Sequence, residues 1–306
     1  MEVNIKEVLE EIYAEIAPSL EVGKVASYIP ELARVTPGQF GMAVCTNSGD
    51  EYIIGSAEKY ISIQSVSKVF TFALAYEELG EKLWKRVGKE PSGSKFNSLI
   101  LLENEKGIPR NPFINAGALV IADILMSLYG DPLEVILESI REWSGNPNIE
   151  VNHKVMDSEL ATANVNYALS YFMKSFGNID SEVQELVKLY TAHCSIDMSC
   201  VDLARSFRLF SQAGKNPWTG NKILTQSQTK HINAIMMTSG LYNSVGDFAY
   251  RVGLPAKSGV GGAVVGVIPG EMSIAVWSPC LDDNGNSFAG IRALELFTNK
   301  TGLSIY

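Results

Sequence analysis

Apolar residues at Ile5, Val8, Leu9, Ile12, Tyr13 and Ile16 recur every three or four positions and predict an amphipathic helix near the start of the chain. The pattern then changes. Phe40-Gly41-Met42-Ala43-Val44-Cys45 and Glu51-Tyr52-Ile53-Ile54 flank Thr46-Asn47-Ser48-Gly49-Asp50, the sequence of a β-hairpin. From 65 to about 250 the spacing is helical almost throughout. Helices are expected to begin near Phe96, Ile114, Leu133, Asn152, Asn164, Ser181, Ser199 and Gln226, most of them behind an Asp, Asn, Ser or Thr that can cap them. Strands return at 262–268 and 272–278, joined by Pro269-Gly270-Glu271, and a helix through Ile291-Arg292-Ala293-Leu294-Glu295-Leu296-Phe297 closes the chain. Strands at both ends with helices between them predict an α+β fold, in which both chain ends form one antiparallel sheet around a large helical insertion. The chain is expected to be a single domain over 1–306, with 1–62 and 251–306 forming a sheet lobe and 63–250 a helical lobe. Its site should lie at the seam.

Composition narrows the function classes. The 306 residues are 46% hydrophobic and 19% charged, a compact globular balance. A net charge of −9 and the lack of basic stretches with interleaved aromatics argue against nucleic-acid binding. No apolar run reaches membrane-spanning length, and Met1-Glu2-Val3-Asn4 lacks the basic start of a signal peptide. Cys45, Cys194, Cys200 and Cys280 suit neither a zinc site nor a Cys-x-x-Cys redox pair, and read as reduced thiols of a cytoplasmic protein. No metal or cofactor is expected.

The chemistry is concentrated at Ser65-Val66-Ser67-Lys68. This serine opens the run Val69-Phe70-Thr71-Phe72-Ala73-Leu74-Ala75-Tyr76, apolar on nearly every side and therefore a buried helix. Burying a lysine disfavours its charge, and a neutral amine one helical turn from a hydroxyl can take that hydroxyl's proton. Two further Ser-x-x-Lys strings lack this context. Ser92-Gly93-Ser94-Lys95 sits in a Pro91/Gly93 loop, and Ser227-Gln228-Thr229-Lys230 opens a polar helix turn. Lys257-Ser258-Gly259-Val260-Gly261-Gly262 precedes a strand and can supply backbone N–H donors to an oxyanion. A Lys-Ser/Thr-Gly edge strand paired with Ser-x-x-Lys marks the penicillin-recognising serine hydrolases.

Together with Asn111-Pro112-Phe113-Ile114-Asn115-Ala116-Gly117-Ala118, these two segments resemble the serine-dependent glutaminases. Val25-Ala26-Ser27-Tyr28-Ile29-Pro30-Glu31-Leu32-Ala33, Asn164-Val165-Asn166 and Tyr190-Thr191-Ala192-His193-Cys194-Ser195 match in order, so the likeness runs from about Tyr28 to Leu296. It implies the β-lactamase/transpeptidase-like fold and hydrolysis of L-glutamine to L-glutamate and ammonia, in the short bacterial form without targeting region or ankyrin repeats. It implies Ser65 as nucleophile, Lys68 as activator, Tyr28 and Tyr242 as flanking phenols, and the N–H groups of Ser65 and Val260 as oxyanion hole. Asn115, Glu159, Asn166 and Tyr190 would bind the amino-acid end of glutamine, together with Ser65, Tyr242 and Val260. A homo-oligomer, specifically a tetramer, is also implied, acting on a small molecule away from nucleic acid and membrane.

These roles make chemical sense. A carboxylate suits the α-ammonium, and Asn166 and Tyr190 offer donors to the α-carboxylate. Glu159 and Asn166 are seven apart and would share one face of an unbroken helix. Whether Lys68 or a tyrosine is the base stays open. Rivals fare worse. Only His153, His193 and His231 exist, no Gly-x-Ser-x-Gly occurs, and His193-Cys194 are adjacent and face apart on a helix. A β-lactamase or transpeptidase would share Ser65, Lys68 and Lys257 but is normally exported. An inactive amino-acid-binding module would not need both Ser65 and Lys68.

Overall fold

A computed structural model describes residues 4–93 and 99–306. The chain runs α1 (Ile5–Ile16), β1 (Gly41–Thr46), β2 (Glu51–Gly55), β3 (Ile61–Ser62), α2 (Ser67–Leu79), α3 (Leu99–Asn104), α4 (Asn115–Leu128) and α5 (Pro132–Ser144). Then come α6 (His153–Leu160), α7 (Asn164–Ser175), α8 (Val183–Cys194), β4 (Asp197–Met198), α9 (Cys200–Ser211), α10 (Gln226–Ser239) and α11 (Val245–Arg251). β5 (Ala256–Ser258), β6 (Ala263–Ile268), β7 (Met272–Trp277) and α12 (Phe288–Thr301) complete it. The expected helix start near Phe96 lies outside the described residues, as does Lys95 of the second Ser-x-x-Lys string.

Five strands form one antiparallel sheet in the order β2-β1-β7-β6-β5, so strands from both chain ends pair directly. Ala43 faces Ala275 and Ala275 faces Val265 across the central strands. β6 and β7 are buried at every position, because helices cover both faces. Alternate residues split accordingly. Met42, Val44, Val264, Ile274 and Val276 join the core under α1 and α12, whereas Ala43, Cys45, Val265 and Ala275 join the core under α9. A sheet covered on both sides reads as continuous apolar runs, which is why 263–268 shows little alternation.

Two local expectations are corrected. The stretch from 65 to 250 is interrupted by a short ladder in which β3 pairs with β4, Ile61 opposite Met198 and Ser62 opposite Asp197. Two-residue strands carry no period of their own. In addition, the α-helix starts at Ser67, and Ser65 sits before it in a 3₁₀ turn, Gln64–Val66. Beyond that turn α2 is buried from Ser67 to Tyr76, at the centre of α4, α5, α8 and α10.

Candidate active site

One cavity of about 390 Å³ lies where the Gln64–Val66 turn, α6, α7 and α8 meet the loop after β5. Its wall includes Tyr28, Ser65, Asn115, Glu159, Asn166, Tyr190, Tyr242 and Val260, bringing together every site residue expected from the sequence except Lys68. Lys68 lies directly behind the wall, fully buried.

The turn bearing Ser65 is held from two sides. Gln64 adopts φ +48°, a left-handed conformation that a residue with a side chain avoids, and surrounding contacts must sustain it. Ile63 N–H donates to Ile196 O at 2.9 Å, and Ser62 Oγ donates to Cys194 O at 3.2 Å. The loop after β5 closes from the other side. A Cβ on Gly259 would stand 2.5 Å from Ile63 O, so only glycine lets the Val260 backbone come this close to Ser65. Gly259 and Gly262 spend their N–H groups inside the loop, on Ala263 O and Gly259 O.

The 111–118 motif exists to reach Lys68. Asn111 Oδ1 accepts from the N–H groups of Phe113 and Ile114, folding the chain back on α4. That fold requires Gly117, whose Cβ would overlap Asn111 O. It delivers Phe113 O and Asn115 Oδ1 to Lys68 Nζ, at 3.3 and 2.7 Å. The expected direct pairing of Lys68 with Ser65 is thus replaced. Among the described residues the hydrogen bonds of Lys68 go to these two acceptors, because Ser65 belongs to the 3₁₀ turn and not to the same helix. Two acceptors engage two N–H groups of an amine and leave its third tetrahedral position for a proton or a lone pair.

Asn115 Nδ2 donates in turn to Asn166 Oδ1 at 3.1 Å, which leaves the Asn166 amide N–H₂ for a ligand. Glu159 and Asn166 do not share a helix. Thr162 N–H and Oγ1 both donate to Glu159 O, ending α6 at Leu160, and α7 restarts at Asn164. The two side chains still meet in the cavity. Glu159 is 8% exposed, and its described hydrogen bond is from Gln64 Nε2 at 3.5 Å.

Burial sets the protonation states. It lowers Lys68 from the ordinary 10.5 to about 8, with Cys194 and Glu159 acting in the opposite direction. It raises Glu159 to about 7, against the Gln64 hydrogen bond and Lys68. Tyr242 is pushed up to about 12 by burial, while its hydrogen bond to Ser65 pulls the other way. Tyr190 also rises well above the usual phenol value through burial. Tyr28 stands at the mouth with 57% of its surface open. Lys257 is buried under the Tyr242 ring, 4.9 Å from its centroid, and donates to Gly240 O and Ser258 O.

Sequence reasoning missed Gln64, Thr162, Ala163, Val165 and Cys194 in the wall. Gln64 carries no local signal, since its strain and its contact with Glu159 arise only in the folded chain. Cys194 lines the cavity, and burial pushes its thiol up to about 12, which disfavours the thiolate. Lys230 of the third Ser-x-x-Lys string is exposed on α10. Among the described residues no three His, Cys, Asp or Glu side chains gather as a metal site. Among them no helix is long and apolar enough to cross a membrane.

Comparison with known proteins identifies the family. The family model described as Glutaminase matches residues 23–306. A glutaminase of Aliivibrio salmonicida is 50% identical over 302 residues, covering 98% of this chain and 99% of its own. The crystal structure of a Bacillus glutaminase superposes with a TM-score of 0.90 at 30% identity, covering 99% of this chain and all of that one. Mglu in its glutamate form gives 0.92 at 32% identity, over all of this chain and 70% of its own.

Proposed function

The chain belongs to the glutaminase family, and we propose that it converts L-glutamine and water to L-glutamate and ammonia through a glutamyl ester on Ser65. It is an amidohydrolase acting on a linear amide. The observation that carries the mechanism is the state of Lys68, fully buried, held by two neutral acceptors, and lowered to about 8. At pH 7 roughly one such lysine in ten is neutral, against fewer than about one in a thousand for an exposed lysine. A phenol near 12 offers about one phenolate in 10⁵ at the same pH. We therefore take Lys68 as the base, and Tyr242, protonated and hydrogen-bonded to Ser65, as the donor that relays a proton.

The steps follow. Ser65 Oγ attacks the side-chain amide carbon as its proton passes to Lys68. The N–H groups of Ser65 and Val260 hold the oxyanion. The C–N bond breaks as Tyr242 or the newly protonated Lys68 protonates the departing ammonia. Water then attacks the glutamyl ester with Lys68 as base, releasing glutamate and restoring Ser65.

Recognition rests on the other wall. Glu159 pairs with the α-ammonium, and Asn166 and Tyr190 donate to the α-carboxylate, while Asn115 fixes both Lys68 and Asn166. Tyr28 closes the mouth. We assign the enzyme to the cytoplasm and to a homotetramer on family likeness. A panel of glutamine, asparagine and a β-lactam reporter tests the reading. Ammonia and glutamate release from glutamine is expected, and β-lactam turnover without glutaminase activity would overturn it.

A further inference from the structure

We propose that His193 is a positioning residue for the nucleophile, acting through Ser67 to hold the strained turn that presents Ser65. The inference rests on Ser65 being the nucleophile. His193 lies on α8, fully buried, with Nδ1 2.8 Å from Ser67 Oγ. Ser67 Oγ is also 2.8 Å from Gln64 O, the carbonyl of the residue in the left-handed conformation. Ser67 is the first residue of α2 and is itself fully buried, so the contact links α8 to the helix start immediately behind the nucleophile.

The protons assign themselves. Ser67 has one hydroxyl hydrogen and three neighbours at hydrogen-bond distance, His193 Nδ1 and Gln64 O at 2.8 Å and the weaker Cys194 Sγ at 3.8 Å. If it donated to Nδ1, two bare oxygens would face each other 2.8 Å apart at Gln64. If Nδ1 carries the proton and donates to Ser67 Oγ, the hydroxyl is free to donate to Gln64 O, and both contacts are hydrogen bonds. His193 is then the Nδ1–H tautomer, with Nε2 a bare acceptor. Nε2 indeed has no partner among the described residues, and an unserved lone pair costs less than an unserved buried N–H. Burial, with Lys68 nearby, lowers the ring to about 3 and keeps it neutral.

The cost points to a purpose. A buried ring with one polar atom unserved is a poor choice for packing, where leucine or phenylalanine would fill the space. Besides an edge-on contact with the Tyr190 ring, what the imidazole gains is one donor aimed at Ser67. Two further ties join the same segment to the end of α8 and the residues after it, Ser62 Oγ to Cys194 O and Ile63 N–H to Ile196 O. Those fix the entrance of the turn, and the His193–Ser67 pair fixes its exit. Small displacements of a nucleophile cost up to about a hundredfold in rate.

The test compares His193→Leu, His193→Gln and Ser67→Ala in the full-length enzyme. Ser67→Ala should lower kcat for glutamine by roughly ten- to a hundredfold with KM changed less than threefold, because Glu159, Asn115, Asn166 and Tyr190 are untouched. His193→Leu should lower kcat as much, and it also removes the edge-on contact of the imidazole with the Tyr190 ring, 5.2 Å between centroids. His193→Gln, which keeps a side-chain N–H, should restore most of kcat, and the Leu/Ala double variant should be no worse than the singles. Histidine ¹⁵N NMR of the unmodified enzyme should show His193 neutral and protonated on Nδ1, whether or not the Leu variant folds. Unchanged kcat in folded His193→Leu or Ser67→Ala, a KM that in Ser67→Ala rises in step with the loss, or an Nε2–H tautomer would overturn the proposal. Activity surviving Ser65→Ala would instead overturn the nucleophile assignment on which it rests.

Discussion

Lys68→Met separates a functional lysine from a structural one, because its effects on rate and on stability run differently with pH. Methionine keeps the apolar stem and removes the amine. The difference between the ordinary 10.5 and about 8 in the fold corresponds to on the order of 3 kcal/mol by which burial penalises the charged lysine. That penalty is carried in full below pH 8. Between pH 8 and 10.5 the unfolded chain binds more protons than the folded one at this position, so the unmodified protein gains stability as pH rises through that window. The methionine variant gains none of it. Against this, the substitution removes the donor serving Phe113 O and Asn115 Oδ1, at about 1–3 kcal/mol for each buried acceptor left unserved. At pH 7 the two effects oppose, and the variant should fold with stability within a few kcal/mol of the original. Urea unfolding at pH 7 and pH 10 measures the difference, which should move in favour of the unmodified protein by on the order of 2–3 kcal/mol between the two. In parallel, kcat for glutamine should fall by roughly 10²–10⁴-fold with little change in KM. A stability difference that is flat with pH, together with retained kcat, would refute both the buried-amine argument and the base assignment.

Glu159→Gln should raise KM for glutamine by two orders of magnitude or more, and N-acetylglutamine should be a very poor substrate of the unmodified enzyme, since each removes one member of a desolvated ion pair. Equal turnover of glutamine and N-acetylglutamine would take Glu159 out of the site. The pH profile of kcat/KM should fall on the acid side, because Lys68 near 8 and Glu159 near 7 both act without their protons. Below pH 7 the slope should approach two decades per pH unit, and a slope staying at one would mean that a single group controls activity. Gly259→Ala places a methyl 2.5 Å from Ile63 O and should cut kcat by at least tenfold in an enzyme that remains folded by circular dichroism. Unaltered kinetics would show that the loop does not approach Ser65 as described.

The parts legible in the sequence are those whose signal is local. The amphipathic 5–16 helix, the 41–55 hairpin and the apolar run behind Ser65 each carry their period in consecutive residues. The glycines of 259–262 and Gly117 mark close backbone approaches that tertiary structure then fills with Ile63 O and Asn111 O. What stayed hidden depends on partners far along the chain. Seven-residue spacing predicts one helix for Glu159 and Asn166, yet Thr162 takes the Glu159 carbonyl and breaks it, and convergence on the cavity comes from two helices. The pairing of Ile61 with Met198 and the left-handed Gln64 are likewise set by contacts across more than a hundred residues. The partners of Lys68 are also non-local, 45 and 47 residues along the chain. Ser65 is close in sequence, but the acceptors Phe113 and Asn115 hold the amine.

The central claim is a glutamyl ester on Ser65, and rapid-quench mass spectrometry of the enzyme during glutamine turnover tests it most directly. Peptide mapping should place a glutamyl group on the peptide containing Ser65, appearing within the first turnover and decaying as glutamine is exhausted. The Ser65→Ala variant should show neither adduct nor ammonia release while keeping its fold. An adduct on Cys194, or steady turnover by Ser65→Ala with no covalent species, would contradict the account.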